Sequence, residues 1–194
     1  MAIQSDEQLR VAAMQAGELL QDIQNYAERQ LRDDAKVSFP RGLMKTNEEY
    51  RQECPGYLTQ LQKSSCAYGF MYLDVLWWLS SRTDIGGIAK EMIFKSAIIT
   101  LGTITEAVLH IPSEGIFDSN AGVELRLQKA SERGWISTDD CNKWKQLWEN
   151  RNNVHLRLLD SSEFNKYKKE HVNEPFIALK SLMAKLKQWQ EARG

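Results

Sequence analysis

Apolar residues recur every three to four positions through each long segment of this chain, and that single period fixes its class. Leu9, Ala12, Ala13, Ala16, Leu19, Leu20, Ile23, Tyr26, Ala27 and Leu31 fall along one stripe of a helix. Alternation of the strand kind never persists for more than a few residues. The expected fold is all-α, an up-and-down helical bundle of five to seven helices with no sheet.

Capping and breaking residues divide that pattern. Ser5 with Gln8 reads as a capping box opening a first helix that runs to Leu31. Phe39-Pro40-Arg41-Gly42 interrupts it, and Thr46 with Glu49 opens a short helix that must stop near Pro55. The segment from Tyr57 to Ser81 and that from Ile88 to His110 are apolar over wide arcs. With Asp84 and Gly86-Gly87 between them, they read as a core hairpin. A short helix from Ala121 to Arg133 ends at Gly134, a residue suited to the position after a helix. Ser137 or Thr138 caps the fifth main helix, which continues to Leu158, and Asp160-Ser161-Ser162 restarts a polar helical stretch. Pro175, after Asn173, suits the first turn of a last helix that buries Phe176, Leu179, Leu182, Met183, Leu186 and Trp189. No repeat or linker divides the chain. Residues 1–194 read as one helical domain, with 1–60 an N-terminal helical extension and 61–194 the bundle.

Composition narrows the function classes. The net charge is −1 over 194 residues, and the basic and acidic residues are spread evenly between the two halves. Strong electrostatic binding to DNA or to an anionic membrane is not expected, whereas a small local phosphate site is compatible. No stretch reads as apolar enough to span a membrane, since the greasiest window, Gly69 to Leu79, carries Asp74. The polar N-terminus does not resemble a signal peptide, so a cytoplasmic location is expected. Cys54, Cys66 and Cys141 are odd in number and lack C-x-x-C spacing, and read as reduced, buried thiols. His110, His155 and His171 have no metal-ligand spacing, so neither a metal site nor a cofactor is expected.

The fifth main helix carries the chemistry. Trp144, Leu147, Trp148, Val154 and Leu158 form its apolar stripe. Arg151 lies three residues beyond Trp148 and His155 four beyond Arg151, so both stand on or beside the stripe. An arginine placed there is costly unless something pairs with it. A carboxylate such as Glu149 or Glu106 is one answer, and a bound phosphate is another. The aromatic pairs Trp77-Trp78 and Trp144/Trp148 read as packing. Lys166, Lys168 and Lys169 read as a solvated face.

The segment Leu147-Trp148-Glu149-Asn150-Arg151-Asn152-Asn153-Val154-His155-Leu156 resembles the signature helix of the HEPN superfamily (higher eukaryotes and prokaryotes nucleotide-binding). That signature is an Arg, a polar residue that is often Asn, and a His a few positions on. Lys95 to Leu109, with Glu106-Ala107-Val108-Leu109, is similar to the family's central helix, and Leu125 to Ser137 to its linking piece. The resemblance covers residues from Phe94 to Trp189. Only three residues separate Arg151 from His155, fewer than the family's usual four to six. Arg157 stands where toxin members carry a tyrosine.

The resemblance implies a metal-independent endoribonuclease, an effector of toxin–antitoxin or phage-defence type. Arg151 and His155 would be catalytic, and Asn152 and Glu106 substrate-binding. Asn152 would orient the phosphate or the ring; Glu106 would hold Arg151 or cap a buried contact. It further implies a homodimer with the two Arg/His helices facing across a two-fold axis, RNA as substrate, and a protein partner such as an antitoxin. The Gly-Trp-Ile-Ser turn and the Arg-Asn helix are also similar to the mannitol operon repressor group. That likeness implies instead a non-catalytic interaction or regulatory protein.

Overall fold

A computed structural model describes residues 2–110, 122–152 and 165–192. Seven α-helices and no strand occur among the described residues, so the chain is an all-α helical bundle. It divides into two units, Met1–Arg41 and Gly42–Gly194. Tyr50, Cys54 and Leu58 belong to the core of the second unit.

The first unit is built on α1 (Asp6–Ala27), followed by a short 3-10 turn at Asp33–Ala35. The Ser5 hydroxyl accepts the Gln8 amide at 3.2 Å, and the Gln8 side chain accepts the Gln4 amide at 2.8 Å. The helix ends four residues before the expected Leu31. Glu28 takes φ 51°, outside the helical region, and the Gln24 side chain closes on its carbonyl at 2.7 Å. The apolar stripe of α1 is exposed: Leu9, Leu19, Leu20 and Ile23 all stand open to solvent.

The second unit opens with α2 (Asn47–Glu53), capped by Thr46 and Glu49 as expected. Helix α3 (Gln60–Arg82) starts later than Tyr57, because Thr59 and Gln62 form a further capping box that the sequence reading passed over. Tyr57 instead lies in the turn before α3, where its hydroxyl donates to the carbonyl of Val108. Helix α4 (Gly87–Leu109) packs against α3 as the expected hairpin. A Cβ on Gly69 would stand 2.9 Å from Ile104 Cδ1, so a side chain there would push the Ile104 side chain aside.

Helix α4 also corrects the sequence reading in one respect. By length and composition it is apolar enough to cross a membrane, with a mean hydropathy of 1.5 over its best window. No unbroken apolar run marks it in the sequence, because Ser96, Thr100, Gly102, Thr103 and Thr105 interrupt its isoleucines and leucines. Half of that window is buried inside the protein, where Ile98, Leu101 and Val108 meet the helices around them.

Helix α5 (Val123–Glu132) ends at Gly134, which takes φ 71°. The Trp135 amide returns to the Ala130 carbonyl at 3.0 Å, closing the helix end. Ser137 caps α6 (Thr138–Asn152), accepting the Asp140 amide at 3.0 Å. The expected continuation to Leu158, and the helical stretch after Asp160, lie outside the described residues. Helix α7 (Glu170–Glu191) begins earlier than expected and holds Pro175 in its second turn. Trp144 of α6 donates its indole N–H to the Pro175 carbonyl at 3.2 Å. Leu147, Leu179, Leu182 and Leu186 complete this seam, all but sealed from solvent.

Candidate functional site

Arg151 sits where α6 crosses α4. Gly102 of α4 makes the crossing possible, since a Cβ at that position would meet Arg151 Cγ at 3.2 Å. The arginine stem therefore lies across α4 where that helix has no side chain. Its head reaches one turn further, to Glu106, with Nη2 3.8 Å from Oε2. The guanidinium stacks over the Trp148 ring, 4.6 Å from its centroid, and Nη1 donates to Asn152 Oδ1 at 3.4 Å.

These contacts hold the arginine without using it up. An ion pair of 3.8 Å is longer than the 2.7–2.9 Å typical of a charge-assisted hydrogen bond. Both partners are partly open to water, 31% for Arg151 and 51% for Glu106. A guanidinium carries five N–H donors in a planar fork. A phosphate arriving from solvent meets a head that is oriented by Trp148 and only loosely paired.

Of the residues singled out from the sequence, Arg151, Asn152 and Glu106 come together. Glu106, not Glu149, is the carboxylate that pairs with Arg151. His155 lies outside the described residues. Trp144 is core and Trp148 is the platform beneath Arg151. Trp77 is exposed rather than packed away, and Lys169 covers its ring with Nζ at 4.7 Å. The three cysteines are free and buried. A hydrogen bond with Cys54, together with burial, pushes the Cys66 thiol far above its usual range.

A second arginine–histidine pair was passed over in the sequence. His110 follows Glu106 by four residues at the end of α4, and both are exposed. Its Nδ1 lies 2.6 Å from Nη1 of Arg126, a residue of α5. Two signals for the pair were present. His110 has helical spacing from Glu106, and Arg126 interrupts the buried face that Val123, Leu127 and Ala130 make on α5.

Among the described residues, no group of three or more His, Cys, Asp or Glu side chains is arranged to hold a metal ion. A separate cleft of about 390 Å³ lies between α3, α4 and α7. Its lining is apolar apart from Asp74, Ser80 and Asn173, and it includes none of the residues around Arg151. The chain matches no protein-family model, no curated protein and no solved structure.

The close approach at Gly102 is testable. Gly102→Val is expected to destabilise the protein by about 1–3 kcal/mol through overpacking. Its γ carbons would also drive the Arg151 stem off α4. A urea midpoint equal to that of the parent would show that the stem does not rest there.

Proposed function

We propose that this protein is a HEPN-like RNA-binding protein of the cytoplasm and acts as a metal-independent endoribonuclease. The observation that carries the reading is the placement of Arg151. It is a half-exposed guanidinium, held in orientation by Trp148 and Gly102 and only loosely paired with Glu106. Such a group suits a phosphodiester, which accepts two parallel N–H bonds from a guanidinium.

In the proposed reaction the RNA 2′-oxygen attacks the adjacent phosphorus as it loses its proton. The 5′-oxygen of the next nucleotide leaves and gains a proton. The products are a 2′,3′-cyclic phosphate and a free 5′-hydroxyl. His155 handles the proton transfers, a task suited to imidazole near neutral pH. Arg151 stabilises the charge that builds on the phosphate oxygens. Asn152 orients the phosphate, and Glu106 holds the arginine until RNA displaces it. The test is purified protein incubated with mixed RNA in EDTA. Strands ending in 2′,3′-cyclic phosphate are expected, and intact RNA would refute the proposal.

A second reading, a non-catalytic interaction or regulatory protein, draws on one observation, the exposed apolar stripe of α1. Both readings include self-association, because an isologous dimer is the commonest assembly and would bring two Arg151 sites together. A solution mass of twice the 22.4 kDa chain is expected at micromolar concentration. A strictly monomeric mass would remove the dimer from either reading.

A further inference from the structure

We infer that His110 is a second binding residue of the Arg151 site, presenting its Nε2–H to the same RNA phosphate, and that Arg126 is the residue that positions it. The inference rests on the reading of Arg151 as a phosphodiester site and adds an imidazole from a different helix of the same chain.

The direction of Arg151 is the first argument. Its stem crosses α4 at Gly102 and its head reaches Glu106, so the side chain runs along α4 toward the C-terminal end. His110 is the next exposed position on that line, one turn beyond Glu106 and about 6 Å further along the axis. A phosphate that accepts N–H bonds of about 2.8 Å from both sides spans a gap of that size.

The tautomer is the second argument. A guanidinium has no acceptor, so in the 2.6 Å contact Arg126 donates and His110 Nδ1 accepts. While the contact lasts, the ring is neutral and its one proton is on Nε2, the nitrogen that points away from Arg126. Arg126 itself is only 5% exposed, too deep to meet a ligand from solvent. Its effect on RNA passes through the ring that it orients.

The experiment uses the full chain, labelled with ¹⁵N-histidine, and a 2′-O-methylated oligouridylate that cannot be cleaved. Arg151→Ala is expected to weaken binding about tenfold or more, and His110→Ala about five- to tenfold, the scale of a hydrogen bond to a charged group. His110→Gln should recover to within about threefold of the parent, because its amide N–H replaces Nε2–H. The imidazole spectrum of the free protein should show His110 with its proton on Nε2, a signature kept in Arg126→Lys and lost in Arg126→Met. If Arg151→Ala weakens binding while His110→Ala changes it less than about twofold, the inference falls and the Arg151 reading stands. If the parent protein binds no RNA, both fall. A His110 proton found on Nδ1 overturns the role given to Arg126, and it does so even if the buried Arg126→Met variant fails to fold.

Discussion

Replacing Arg151 or His155 by alanine is expected to lower RNA cleavage by about a hundredfold or more. The two losses have different origins. Without His155 the 2′-oxygen keeps its proton longer and the leaving oxygen gains one later. Without Arg151 the phosphate arrives unheld, and its growing charge meets no fork of donors. Because both groups act in one transition state, the double variant should be hardly worse than the worse single variant. Arg151→Lys should recover little, since an ammonium offers a point charge in place of a planar fork and does not stack over Trp148 in the same way. Cleavage should continue in EDTA, because 2′-hydroxyl attack assisted by imidazole and guanidinium needs no metal. Variants that cut as fast as the parent would refute the assignment of both residues.

Trp144→Ala is expected to destabilise the protein by about 3–5 kcal/mol, a large part of the total for a domain of this size. The indole is 1% exposed and is wedged between α6 and α7. Removing it leaves a cavity that the leucines of the seam cannot close, and it deletes the indole N–H bond to the Pro175 carbonyl. Trp144→Phe separates the two effects. It keeps most of the ring volume and loses the hydrogen bond, a cost of about 1 kcal/mol. Urea unfolding monitored by circular dichroism reads both. A loss below about 1 kcal/mol for the alanine variant would mean that the α6–α7 seam does not depend on this indole. Helix α6 also carries Arg151, so Trp144→Ala should weaken RNA binding, while Trp144→Phe should leave it near the parent level.

The helices were legible in the sequence because the apolar residues of each recur at helical spacing, whether buried as in the second unit or exposed as on α1. The capping boxes at Thr46 and the turn at Gly134 were legible because single side chains or a single glycine do the work there. The start of α3 was missed for the opposite reason. Tyr57 and Leu58 are apolar and continue the pattern, yet Tyr57 serves α4 and Leu58 the core from outside any helix. In the second unit apolar periodicity marks burial, and burial extends past the end of a helix.

At the site, sequence spacing brought Trp148, Arg151 and Asn152 together because they share α6. The choice between Glu106 and Glu149 was not legible, since it depends on how α4 and α6 cross. That crossing is set by Gly102, whose contribution is the absence of a side chain. The pairing of His110 with Arg126 joins α4 to α5, and no spacing within one helix could reveal it.

The exposed stripe of α1 has a practical consequence. Glu7, Glu18 and Asp22 stand on the face opposite Leu9, Leu20 and Ile23, so these three charges are turned away from its apolar side. Contacts made through that side draw on the release of water, which weakens on cooling and responds little to dilute salt. Under the proposed function, contacts between RNA and Arg151 would draw on the release of counterions, which weakens steeply as salt rises. The two kinds of association would therefore answer to different controls: potassium chloride would strip the nucleic acid and spare the apolar contact, and chilling the same sample would loosen the apolar contact first.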